Sequence, residues 1–132
     1  VRYRLTLQNK KIVYATDVEL NSFFGEGATH PDRQELADAY REFVQGADLL
    51  IADAQYSDAE YPTRVGWGHS SVPVLLEVAS QCGVKQLAVF HHDPQHTDKF
   101  LDDLWAKNRF RYWSEKHRTE VFWAREGLTL AI

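Results

Sequence analysis

Six histidines occur in this 132-residue chain, and the surroundings of three of them suit chemistry. His69 lies in GWGHSS, Gly66 to Ser71, where flanking glycines permit positive φ or a close backbone approach and two hydroxyls follow at once. If Ser70 and Ser71 open a helix, its N-terminus favours anions. An imidazole beside such a helix end could act as general acid or electrostatic clamp in a phosphoryl or acyl hydrolase. The same letters also describe a Gly-rich turn with an N-cap. His91 and His92 follow an apolar run in VFHHDP. Adjacent residues of an extended chain point to opposite sides, so one can serve as a metal ligand while the other supports it or lies at the surface. Asp93 and His96 could buttress them, or simply belong to a surface loop. Asp17 in YATDVE is a turn or capping carboxylate, or a ligand whose two oxygens can bridge two metal ions.

These side chains need elements that deliver them to one place. Residues 2–7 alternate and residues 11–16 are β-branched and aromatic, so with QNKK between them they read as a hairpin. Asp32 is placed to cap a helix through about Val44, with Leu36, Ala39, Tyr40, Phe43 and Val44 on one face and Gly46 as its stop. DLLIAD (48–53) and KQLAVF (85–90) are short apolar runs of the kind buried on both faces of a parallel sheet. A helix over 72–82 lies between them, capped by Ser71, with Pro73 in its first turn and Gly83 after it. A third helix begins near Thr97 or Asp98 and turns Leu101, Leu104 and Trp105 inward, and EVFWA and LTLAI around REG suggest a terminal hairpin. The order β, β, α, β, α, β, α, β, β predicts an α/β layer. In such sheets the loops after the strand carboxyl ends share a rim. Asp17, Asp53 and His91 all fall there.

Composition narrows the alternatives. Aromatics are plentiful, with four Trp, six Tyr and seven Phe, which fits a packed domain. A formal charge of −4 opposes non-specific nucleic-acid binding, although KNRFRYWSEK from Lys107 to Lys116 is locally basic and aromatic. The single Cys82 excludes an internal disulfide and suits a reducing cytoplasm. No run is long and apolar enough for a membrane span, and no signal peptide is legible. The chain has no methionine, from which we expect it to begin inside a longer protein, with a processed terminus as the alternative. Asp53 also invites comparison with the phospho-accepting Asp of a receiver-like signalling module, with Asp17 and Glu19 as its acidic cluster and Lys85 as partner. Such a module needs another strand before the acceptor, and Lys85 precedes its strand instead of ending one.

Taken in order, YATD, DLLIADAQY, GWGHSS, GVKQLAVFHHDP and AREGLTL resemble the carboxyl-terminal half of metallo-β-lactamase-fold hydrolases, in the ribonuclease Z-like and phosphodiesterase branch. The resemblance implies that residues 1–132 form half of a four-layer αββα sandwich, with a mixed sheet and helices on its outer face. It implies Asp17 as a carboxylate bridging two divalent metal ions, zinc first with manganese or iron as alternatives. It makes His91 a ligand of the second ion and His69 the residue that contacts the scissile phosphate or protonates the leaving oxygen. Asp53 is left to a supporting or structural role. The family's His-x-His-x-Asp-His signature and a further ligand histidine belong to its amino-terminal half and have no match here. The expected partner is therefore that missing half or a second copy. The expected substrate is a small-molecule or cyclic-nucleotide phosphodiester instead of RNA, with lactone, thioester or β-lactam hydrolysis as the alternative.

Overall fold

The computed structural model describes residues 1–112 and 119–132, so of the basic segment Lys107–Lys116 only Lys107, Asn108 and the helical backbone to Tyr112 fall within it. Strands β1 (Arg2–Leu7) and β2 (Lys10–Ala15) pair antiparallel, from Arg2 opposite Ala15 to Leu7 opposite Lys10. The connection is shorter than the four residues expected. Gln8 and Asn9 alone turn the chain, with φ of 49° and 63°, the conformation whose twist matches paired strands. Lys10 and Lys11 are thereby released into β2.

Strand β3 (Leu49–Asp53) lies parallel to β2, β4 (Gln86–Phe90) parallel to β3, and β5 (Glu120–Trp123) parallel to β4, giving the order β1-β2-β3-β4-β5. Helices α1 (Arg33–Val44), α2 (Val72–Gln81) and α3 (Asp98–Tyr112) make the crossovers. Their apolar residues, among them Tyr40, Val44, Leu75, Leu76 and Leu104, pack on Val13, Ala15, Leu50, Ala52, Leu87 and Val89 in one core. All these strand residues share one sheet face by register. Burying a side chain such as Leu50 or Leu87 contributes about 1.5–3 kcal/mol. On α1 it is Ala37 that is buried while Ala39 is exposed, so the apolar stripe runs through 37, 40 and 44. Asp32 precedes the helix without a side-chain capping bond, its carbonyl accepting the Leu36 N–H instead.

The expected terminal hairpin does not form among the described residues. A turn is present, with Gly127 at φ 77° and the Leu128 N–H on the Arg125 carbonyl. No strand follows it. Alternation makes a strand only where a ladder is on offer, and β5 is four residues long with the next N–H, Ala124, bonded back to Val89. No helix among the described residues is long and apolar enough to cross a membrane.

Candidate metal centre

Three strand ends and one loop converge at the carboxyl rim of the sheet. Asp17 follows β2, Asp53 ends β3, His91 follows β4, and His69 comes from the loop that leads into α2. One ligand atom from each lies within 4.8 Å of every other. Asp17 Oδ1 is 3.9 Å from both His69 Nδ1 and His91 Nδ1, and Asp53 Oδ2 is 3.7 Å from His91 Nδ1. Two ligands on one tetrahedral ion stand roughly 3.4 Å apart, so the spacings of His91 from the two carboxylates suit shared coordination, and the mix of carboxylate and imidazole suits a divalent metal ion. Asp53 Oδ2 and His69 Nδ1 are different: at 2.6 Å they make a hydrogen bond.

That bond assigns the atoms of His69. A carboxylate only accepts, so the imidazole keeps its proton on Nδ1 and leaves Nε2 outside that bond. Asp53 is almost wholly buried, which fixes the bond's direction, and the Tyr56 ring stands edge-on to the imidazole at 6.5 Å. His91 is oriented separately, by the Gln55 amide donating to its Nδ1 across 3.1 Å. Its proton then sits on Nε2, and its Nδ1 lone pair, close to Asp17 and Asp53, is taken by Gln55, whose amide must turn away for that atom to bind a metal. Gln55 went unnoticed in the sequence; its only signal is its place two residues beyond Asp53, at the end of the strand.

The backbone at the two ligand positions is unusual. Asp17 and His91 have φ of 54° and 58°, and among the described residues the other non-glycines with positive φ are the Gln8–Asn9 turn pair. Asp and His tolerate this region better than most residues, but it still costs about 1 kcal/mol or more at each. Such cost concentrates where a side chain must point against the local chain direction.

The GWGHSS loop is stitched to residues 18–21. Ser70 Oγ accepts the Leu20 N–H at 2.9 Å and donates to the Val18 carbonyl at 2.6 Å. Asn21 and Ser71 bond reciprocally, side-chain amide to hydroxyl and backbone N–H to amide oxygen, both at 2.9 Å. Both serines are fully buried, so their hydroxyls are committed to the fold and do not face an anion at the helix end. Ser71 precedes α2 without a capping bond of its own.

His92 turns away from His91 and packs edge-on against Trp123 at 5.3 Å, where burial holds its imidazole below the usual histidine range. His96 also lies apart from the cluster. Its Nε2–H donates to the Glu60 carboxylate at 2.7 Å and its ring stacks on Phe100, bracing the loop after β4 against the loop after β3. Asp93 closes a local turn on the Gln95 N–H. Lys85 sits at the opposite rim, 2.7 Å from Asp48, and so cannot partner Asp53 as a receiver-like module requires.

The fold is that of the metallo-β-lactamases. Solved structures that share it include the metallo-β-lactamase-fold protein YhfI from Bacillus subtilis, with a TM-score of 0.59 at 18% identity over 95% of this chain and 41% of that one. Human tRNase Z, short form, aligns with a TM-score of 0.57 at 19% identity over 99% of this chain and 38% of that one. In sequence the chain is similar to ribonuclease Z. It is 30% identical to the enzyme of Brevibacillus brevis over 110 residues and 32% identical to that of Thermoplasma volcanium over 110 residues. These alignments take in 79% and 82% of this chain but 34% and 31% of the relatives, so the chain spans about a third of their length. No family model matches.

Proposed function

We propose that this chain supplies part of the active centre of a metal-dependent hydrolase that cleaves phosphodiester bonds. The convergence of Asp17, Asp53, His69 and His91 within 4.8 Å carries this reading, and the fold and the ribonuclease Z relatives support it. Asp17 would bridge two divalent ions, zinc before manganese or iron, and His91 would bind one of them. Ions held there would supply Lewis-acid activation of water and of the phosphoryl group. Asp53 would hold the His69 ring through its Nδ1–H, and with a second proton taken up from water on Nε2 that atom would hydrogen-bond the phosphate or hand this second proton to the departing oxygen. Two ions call for more donors than these four, and we propose that residues outside this chain, from an amino-terminal half or a second copy, complete the set. The net charge of −4 favours a small ester, whereas the relatives are named as ribonucleases. Cys82, buried and free with its thiol pushed up by burial, fits a reducing cytoplasm.

Elemental analysis of the intact protein should find about two transition-metal ions per chain, with chelator-sensitive hydrolysis of bis(p-nitrophenyl) phosphate. His69→Ala should lower kcat by about 10²–10⁴-fold with metal retained, and Asp17→Ala should lose metal. No metal bound after supplementation removes the proposal. Hydrolysis of lactones or β-lactams without any of phosphodiesters keeps the metal centre and removes the substrate class.

A further inference from the structure

Glu19 stands two residues beyond Asp17, yet its carboxylate turns to a different task. Oε1 accepts the backbone N–H of Gly66 at 2.8 Å and the Tyr61 hydroxyl at 2.7 Å, and Oε2 accepts the backbone N–H of Gly68 at 3.1 Å. The N–H between them, from Trp67, goes instead to the Arg64 carbonyl at 3.1 Å. Two alternate amides are thus aimed at one side chain. This is possible because Gly66 and Gly68 have φ of 84° and 87°. A Cβ at either would meet nothing within 4 Å, so the glycines are required by conformation and not by crowding. His69 is the next residue.

We propose that Glu19 is a positioning residue for His69: it clamps the Gly66–Gly68 backbone in the turn that delivers the imidazole to Asp53 and the metal cluster. The inference rests on the reading of that cluster as a hydrolytic centre. The physical need is plain. A segment with two left-handed glycines is the most mobile kind of backbone, and loops of this sort open locally unless tied down. Ser70 and Ser71 secure the chain after His69, and Glu19 secures it before. Because Glu19 and Asp17 leave β2 on the same short loop, the side of the site that carries the bridging carboxylate also sets the place of the imidazole. Tyr61 completes the clamp, its hydroxyl pushed above its usual range by burial and then by the bond to Glu19.

The test uses Glu19→Gln in the intact, metal-loaded protein. The side chain keeps its size, but at the Oε2 position a donor now meets the Gly68 donor. Amide hydrogen exchange at Gly66 and Gly68 should quicken about tenfold, the effect expected for losing a bond to a charged acceptor. kcat should fall about tenfold or more while KM and metal content stay within about twofold, since only proton transfer is misplaced. Tyr61→Phe, which deletes one of the three bonds, should give a smaller change of the same kind and keeps the question open to measurement if Glu19→Gln does not fold. Unchanged exchange at both glycines, or loss of metal with the loop still protected, overturns the proposal. If the wild-type protein shows no phosphodiesterase activity the hydrolase reading falls, and the exchange measurement still decides whether Glu19 holds the loop.

Discussion

At Asp17 and His91 the backbone and the chemistry pull in opposite directions. Both residues are held at positive φ, where an L side chain is strained, and both offer a ligand atom to the cluster. Substitution can separate the two effects. Asp17→Gly relieves the strain while removing the carboxylate, whereas Asp17→Ala removes the carboxylate and keeps the strain. In the metal-free protein Asp17→Gly should therefore be more stable than Asp17→Ala by about 1 kcal/mol, measured by urea denaturation, with metal binding lost in both. Equal stability of the two variants would mean that the turn at 17 relaxes freely and holds no strain.

Between elements, hydrogen bonds decide which loops move together. Ser70 joins the loop after β2 to the loop before α2 through two bonds, one buried and one partly so. Ser70→Ala leaves the Leu20 N–H and the Val18 carbonyl without a partner and should cost about 2 kcal/mol of stability with an unchanged denaturant slope. At the other rim Asp48 accepts the Lys85 ammonium at 2.7 Å and the Lys11 backbone N–H at 2.8 Å, tying β2, β3 and β4 together where they begin. These bonds, the Lys85 contact foremost, hold its carboxyl below the usual carboxylate range. A depressed carboxyl contributes stability above its unfolded-state value, near pH 4, and that stability is lost as pH falls through the lower folded value. Asp48→Asn should lower Tm at pH 7 and differ little from wild type at the acid end, below both values. A pH-independent difference would show that the residue acts by shape alone.

The whole molecule is built with its helices on one side of the sheet. The other side carries a row from Tyr3 through Tyr14, Ile51 and Ala88 to Phe122, one residue from each strand, with Leu5 and Leu7 beside it on β1. Tyr3, Leu5 and Leu7 are 60%, 62% and 68% exposed, an apolar edge of the kind that soluble monomers seldom leave uncovered. The 132-residue chain by itself should associate, as read by sedimentation velocity, and should lose zinc on dialysis, because Asp53 and His69 are occupied with each other. A stable monomer that keeps stoichiometric zinc would show that these residues already make a complete site.

Much of the rim was legible from local pattern. Short apolar runs between glycine stops mark β3 and β4, and the rule that parallel strands end on one side puts Asp17, Asp53 and His91 together. The glycines and serines around His69 marked it as a candidate general acid or clamp beside the plain reading as a Gly-rich turn, and the family resemblance then implied its role at the phosphate. What local pattern cannot carry is the partner across the fold. The bond from Asp53 to His69, the amide of Gln55 on His91 and the carboxylate of Glu19 on Gly66 and Gly68 join residues 16 to 49 positions apart. Serines that read as an open helix end are sealed by Val18, Leu20 and Asn21, about 50 positions away. The strand pattern of LTLAI failed for the same reason: alternation describes a segment's own two faces, whereas pairing needs a free ladder supplied by the rest of the molecule. Hydrophobic period and stop residues are properties of neighbours in sequence, so the sequence determined the elements and the rim on which they end. Hydrogen-bond partnership, side-chain direction and left-handed backbone depend on what the folded chain brings within 3 Å or so, and only the tertiary structure decided them.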